Sequence, residues 1–191
     1  MQSEVKKAVK LLKDGKLIVY PTDTLYGLGA NIFDEKAVIK VYEAKRRPFS
    51  MPLPICLSSI EEIEKYAIMN KIAHKIAERF MPGAVTIILK KKKCVPDIVT
   101  KEKIAIRVPA SDVARNIAKE VPLTATSANL HGRKAPSTIK DAKEQLGNKV
   151  AMYIDAGKLM GKPSTIIDVS EGRIKIIREG AIPKEEIYGK L

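Results

Sequence analysis

Val5, Ala8, Val9 and Leu12 recur at the three-and-four spacing of a helix, with Ser3 placed to cap it and Gly15 to end it. Leu17 to Tyr20 is a short, partly β-branched apolar run that predicts a strand ending at Pro21, after which PTDTLYGLGA (21–30) holds too many turn formers to extend either element. Asp34 opens a second helix through Ala37, Val38, Val41 and Ala44, and Pro48 sets its end by pushing Arg47 out of the helical region. A strand over Leu53 to Leu57 is followed by a capping box, Ser59 with Glu62, and by an amphipathic helix over Asn70 to Phe80 that Pro82 and Gly83 close. Further strands are expected at Ala84 to Leu89, Ile104 to Val108 and Leu123 to Ser127, with a helix from Ser111 to Glu120 between the last two. Ser137 caps a helix that stops at Gly147; Val150 to Ile154, Thr165 to Val169 and Ile174 to Ile177 read as strands, the last two joined by a turn at Ser170, Glu171 and Gly172. A short helix starts at Pro183.

Strands alternating with helices predict an α/β sheet covered by helices, made mixed by the closing hairpin. No linker-rich stretch or fixed-period repeat divides the chain, so residues 1–191 are expected to form one domain. A chain of 191 residues buries roughly 70% of its unfolded surface and needs no disulfide or metal to hold a core. Cys56 and Cys94 lie far apart with no CxxC neighbour, which suits a reducing cytoplasm. No apolar run approaches the roughly 20 residues of a membrane span, and the polar N-terminus is unlike a signal peptide.

Lysine and arginine outnumber aspartate and glutamate by 35 to 22, a net charge of +13 that attracts polyanions such as nucleotides or RNA. The standard nucleotide motifs are nevertheless missing. Gly27 and Gly29 lack the third glycine of the dinucleotide fingerprint, whose place Ile32 takes, and the Gly157 to Lys162 loop is too short for a phosphate loop and is followed by Pro163 where a magnesium-binding hydroxyl belongs. His74 and His131 have no metal-ligand spacing to any carboxylate or cysteine, and Ser127 sits in T-S-A-N, not in a nucleophile elbow. Acidic pairs such as Glu61-Glu62 fall in first helical turns, where they complement the dipole.

Other polar clusters sit at the ends of elements, where open α/β sheets hold their ligands. Thr22, Asp23 and Thr24 follow the first strand; Lys45 and Arg47 leave a helix end and are expected to project their cations beyond the scaffold, although a cation there also complements the helix dipole. Arg107 ends the alternating strand Ile104-Ala105-Ile106, placed to fork a carboxylate or phosphate. Ser127 and Asn129 can point to one side of a strand end, Ser164 opens a strand and Arg178 closes another. Together they suit an anionic ligand with several hydrogen-bonding groups. The lysine run 90–93 reads as a solvated turn, with an RNA contact as the other reading.

Six ordered blocks carry a resemblance: PTDTLYGLGAN at 21–31, K-x-R-P at 45–48, PGAVTIIL at 82–89, IAIRVP at 104–109, TSAN at 126–129 and STIID at 164–168. With them the chain resembles the YrdC/Sua5 family of threonylcarbamoyl-AMP synthases from about Lys16 to Ile182. The resemblance implies a YrdC-like (RibB-like) α/β fold, a twisted open mixed sheet flanked by helices with a concave basic face. It implies L-threonylcarbamoyladenylate synthase activity, a nucleotidyl transfer that joins L-threonine, bicarbonate and ATP, releases pyrophosphate and serves the t6A modification of tRNA. Lys45, Arg47, Ser127, Asn129 and Arg178 then fall at the nucleotide end, Lys45 and Arg47 with catalytic roles, and Thr24, Arg107 and Ser164 fall around threonine. Mg2+ would arrive with ATP and no protein metal site is implied; the product would pass to a tRNA threonylcarbamoyl transferase, with an RNA or tRNA contact through the basic face.

Met51 and Cys56 stand where longer Sua5 members often carry asparagine and histidine, and no residue follows Leu191 to supply the C-terminal domain of those members. A non-catalytic module binding double-stranded RNA or tRNA is the competing reading; three phenylalanines, six tyrosines and no tryptophan give it little to stack single strands on. A carbamoyl-adenylate step in metal-centre maturation is a third, and it normally belongs to a much larger chain.

Overall fold

A computed structural model describes residues 2–189. The first half runs α1 (Gln2–Lys13), β1 (Ile18–Pro21), β2 (Tyr26–Gly29), α2 (Glu35–Lys45), β3 (Ile55–Cys56), α3 (Ile63–Tyr66), β4 (Ala67–Ile68), α4 (Lys71–Phe80) and β5 (Val85–Lys91). The second half runs β6 (Lys103–Arg107), α5 (Asp112–Glu120), β7 (Leu123–Thr124), β8 (Thr126–Ser127), α6 (Ile139–Leu146), a 3-10 turn (Gly147–Lys149), β9 (Met152–Tyr153), β10 (Thr165–Asp168), β11 (Lys175–Arg178) and α7 (Lys184–Gly189). No described helix is long and apolar enough to cross a membrane.

The expected open mixed α/β architecture is present, distributed over two sheets. One has the order β8-β2-β1-β9; the other has β11-β10-β5-β6-β3-β7, with β4 beside the end of β5. Parallel pairs (β1/β9, β3/β6, β5/β10) and antiparallel pairs occur in both. The run 123–127, expected as one strand, divides: β7 pairs with β3 in the larger sheet and β8 pairs with β2 in the smaller. Ala125 is the crossing point, its N–H bonded to Pro54 O at 2.8 Å.

Side-chain alternation sorts the larger sheet into two faces. Val85, Ile87, Leu89, Ile104, Ile106 and Ile167 are fully buried on one face and join the main apolar cluster with α2 and α4. A second cluster packs α1 and α5 against Ile18, Tyr20 and Leu123. The opposite face of β5, β6 and β10 carries Thr86, Lys103, Arg107 and Asp168, so it is the polar face that stays open.

Several local expectations are corrected. The stretch after Pro21 contains β2, whose register pairs Tyr20 with Gly27. A Cβ on Gly27 would come within 2.8 Å of the Tyr20 ring and one on Gly29 within 2.7 Å of Leu123 Cδ1, so these glycines make room for large neighbours inside a strand and do not mark turns. α2 ends before Pro48 acts: Arg46 is left-handed (φ 51°), and the N–H groups of Arg46 and Arg47 return to Glu43 O and Tyr42 O. Ser3 lies inside the first turn of α1, and Thr138, not Ser137, caps α6 by accepting from Asp141 N. Glu62 is not part of a capping box; its carboxylate accepts from the backbone N–H and hydroxyl of Ser58.

Candidate active site

Where the two sheets meet, a hollow of about 810 Å³ opens, within the range of small-molecule sites. Its floor is the polar face of β5, β6 and β10. One wall is made by β1, β2 and the β8 end, and another by the segment after α2. Arg47, Lys103, Arg107, Arg133 and Arg178 line it, with Asp168 the one carboxylate among the lining residues. Of the residues singled out from sequence, Thr24, Arg47, Arg107, Ser127, Asn129, Ser164 and Arg178 all border this hollow.

Arg107 reaches the floor from the end of β6, only 9% exposed. Its Nε donates to Gly83 O at 3.0 Å, Nη1 to Thr24 Oγ1 at 2.6 Å and Nη2 to Asp23 Oδ1 at 2.7 Å. Three of a guanidinium's five N–H donors are therefore fixed, and two remain for a ligand. Thr24 is itself held by Thr22, whose hydroxyl oxygen lies 3.1 Å from both Thr24 Oγ1 and Thr24 N. The Ser164 and Thr86 hydroxyls share a hydrogen bond of 2.8 Å. Arg178 donates from Nη2 (2.8 Å) and Nε (3.3 Å) to Ser164 O, and burial, then the charge of Arg107, lowers its pKa. A Cβ on Gly161 would stand 2.4 Å from Thr24 O, so this glycine lets the 157–163 strap lie against the threonine loop; one on Gly180 would stand 2.1 Å from Pro163 O, so that glycine lets the chain after β11 lie against Pro163 and Ser164.

Lys45 is placed differently from the expectation that its cation projects outward. It is 2% exposed and absent from the hollow's lining; its Nζ donates to Ser127 O at 2.5 Å, Asn129 O at 2.7 Å and Asn129 Oδ1 at 3.4 Å. The reason is the reversal at Arg46, which turns the chain so that Lys45 points back under the β8 loop while Arg47 points forward. Arg47 faces the hollow, donating to Met51 O (3.2 Å) and Pro52 O (2.9 Å). Burial, with Arg47 beside it, brings the Lys45 pKa from 10.5 to about 7. Ser127 Oγ donates to Asn129 Oδ1 at 2.5 Å, and Asn129 Nδ2 donates to Leu130 O and Arg133 O.

Cys56, 1% exposed, also borders the hollow; burial pushes its thiol up to about 12, so it offers a neutral, weakly polar surface and no nucleophile. Met51 is on the rim. Sequence reasoning missed Thr86, Arg133 and the Lys103–Asp168 pair (3.0 Å), all of which border the hollow. Alternation within VTIIL, KIAIR and STIID carries that signal for the floor residues, because Thr86, Lys103 and Asp168 occupy the same parity as Ile88, Arg107 and Ser164. Among the described residues no cluster of three or more His, Cys, Asp or Glu is placed to hold a metal ion.

A model of the Sua5/YciO/YrdC domain, described as "Telomere recombination", matches residues 10–180. The chain belongs to the Sua5/YciO/YrdC family. It is 47% identical, over 97% of its own length and 92% of the relative's, to a putative threonylcarbamoyl-AMP synthase of Methanocaldococcus jannaschii. It is 37% identical, over 96% of its length, to the threonylcarbamoyl-AMP synthase of Pyrococcus abyssi, of which it spans 56%. The P. abyssi Sua5 structure complexed with L-threonine superposes with a TM-score of 0.94 at 35% identity, covering 100% of this chain and 59% of that one. Escherichia coli YciO superposes at 0.89 with 28% identity, covering 98% and 94%. The Sua5 likeness therefore extends over this whole chain and over slightly more than half of the P. abyssi protein.

Proposed function

We propose that this Sua5/YciO/YrdC-family chain is an L-threonylcarbamoyladenylate synthase, a nucleotidyltransferase that works in the cytoplasm. The observation that carries the reading is the hollow itself: cations and neutral hydroxyls from seven separate stretches border one cavity large enough for an amino acid beside a nucleotide. The relatives named as threonylcarbamoyl-AMP synthases, and the related structure holding L-threonine, support the same substrates.

The reaction asks for such a site. The threonine amine attacks bicarbonate carbon, and loss of water leaves the carbamate; a carbamate oxygen then attacks the α-phosphorus of ATP, the bond to the β-phosphate bridging oxygen breaks, and pyrophosphate leaves in line. Attacking group and target are both anionic, so the protein's task is to place them and to offset their repulsion, with no covalent nucleophile required. In this reading Arg107, with two donors left, takes the threonine carboxylate, and Thr24 and Ser164 set its neighbourhood. Arg47 and Arg178 face the phosphates, Ser127 and Asn129 border the nucleoside, and Lys45 acts from behind them. Mg2+ would arrive with ATP and would supply charge neutralisation at its phosphates. The labile product goes to a tRNA threonylcarbamoyl transferase, and the excess of cations favours contact with tRNA.

The test is pyrophosphate release from ATP with threonine and bicarbonate added singly and together. Release is expected only when both are present; RNA binding without such turnover would transfer support to a binding module.

A further inference from the structure

With Lys45 withdrawn behind the β8 loop, the cations that border the hollow differ in how far they are already committed. Arg47 is tied to Met51 O and Pro52 O, Lys103 to Asp168, Arg107 to Gly83, Thr24 and Asp23, and Arg178 to Ser164 O. Arg133 is the exception. It borders the same hollow, yet among the described residues its guanidinium has no hydrogen bond or ion pair. Only its backbone is fixed: its N–H donates to Leu130 O at 3.0 Å, and its carbonyl accepts from Asn129 Nδ2 at 2.6 Å. The turn that carries it passes through Gly132 at φ +79°, a conformation suited to glycine.

The base of Arg133 is thus anchored to the nucleotide-side residue Asn129, which Lys45 braces from behind, while the head group keeps all five donors. A guanidinium fork matches the paired oxygens of a phosphate better than a single ammonium does. We propose that Arg133 is a substrate-contacting residue that takes the triphosphate of the nucleotide from the rim of the hollow, the place that Lys45 does not reach. The proposal rests on the reading of this hollow as an ATP site. The unliganded head group is expected to become ordered only when the anion arrives, so its contribution belongs to nucleotide binding and not to the stability of the fold.

The experiment compares the full-length wild type with Arg133→Ala and Arg133→Lys in pyrophosphate release and in thermal shift with ATP, AMP and threonine. Arg133→Ala is expected to raise KM for ATP about tenfold, the size of one charge-assisted hydrogen bond, with KM for threonine and the ligand-free melting temperature unchanged. The ATP-induced shift should shrink while the AMP-induced shift persists, and Arg133→Lys should recover part of the loss. An unchanged KM for ATP, or equal loss for ATP and AMP, overturns the triphosphate assignment. A wild type that releases no pyrophosphate refutes the synthase reading alone, since the ATP and AMP shifts still decide Arg133; a wild type that shows neither turnover nor any ATP shift sinks both.

Discussion

Replacing Lys45 with methionine removes a buried cation and the donors that hold Ser127 and Asn129, and the two consequences oppose each other. Losing the donor leaves Asn129 O without a partner, at about 1–3 kcal/mol, while Ser127 O keeps the backbone N–H of Asn129 at 2.9 Å. Against this, the Lys45 pKa falls from 10.5 to about 7, which at about 1.4 kcal/mol per pH unit makes the ammonium about 5 kcal/mol costlier in the fold than in the unfolded chain. Because the folded pKa lies below the unfolded one, the unfolded chain binds more protons between pH 7 and 10.5, and wild-type stability rises with pH across that window. Below pH 7 the burial cost is fully present, and Lys45→Met should be more stable than the wild type by about 2–4 kcal/mol. By pH 10 the wild type has shed most of that cost, and the order should reverse, the variant being less stable by up to about 2 kcal/mol. The assay is urea denaturation of both proteins from pH 6 to pH 10, since their difference cancels every other titrating group. Parallel stability curves would refute the assignment of a buried, low-pKa lysine. At pH 7 the variant is still expected to lose turnover, because Ser127 and Asn129 no longer have a fixed position.

Arg107→Lys keeps a charge but cannot hold Gly83 O, Thr24 and Asp23 and still present two donors, so KM for threonine should rise at least about tenfold while the ATP-induced thermal shift persists; an unchanged KM for threonine would remove Arg107 from the carboxylate role. Gly161→Ala drives a Cβ against backbone at Thr24, and overpacking of about 1–3 kcal/mol should lower the melting temperature by about 3–10 °C, whereas Gly189→Ala, with nothing within 4 Å, should not. Excess EDTA is expected to stop pyrophosphate release and added magnesium to restore it; turnover that survives chelation would mean that ATP reacts without its metal.

The helix caps at Asp34, Asn70 and Ser111 were legible because a cap is a local object: each side chain accepts from the backbone N–H three residues on. Ser59 and Ser137 carry the same local signal and fail, since a neighbour competes in each case, Ser58 for the Glu62 carboxylate and Thr138 for the α6 end. β2 was hidden for a non-local reason. Its glycines serve a tyrosine on the adjacent strand and a leucine far along the chain, and no rule about turn residues contains those partners. The division of 123–127 between two sheets is non-local in the same way, and it matters more, because the crossing at Ala125 puts Ser127 on one wall of the hollow while Arg107 and Ser164 lie on its floor.

The site residues show where motif reading stops. Lys45 and Arg47 are two residues apart at a helix end, and nothing in their spacing distinguishes their directions; the left-handed Arg46 between them does, sending one ammonium beneath a loop and one guanidinium into the hollow. A motif residue can therefore belong to a site without touching what the site holds. The converse applies to Arg133, which stands outside the six matched blocks but is fixed in place by Asn129, a residue inside one of them. If Lys45, Asn129 and Arg133 form one mechanical unit, Lys45→Met and Arg133→Ala must be non-additive in ATP affinity read by thermal-shift titration, which needs no turnover, the double variant binding ATP little worse than Arg133→Ala alone. Multiplicative effects would show instead that the two cations reach the nucleotide independently.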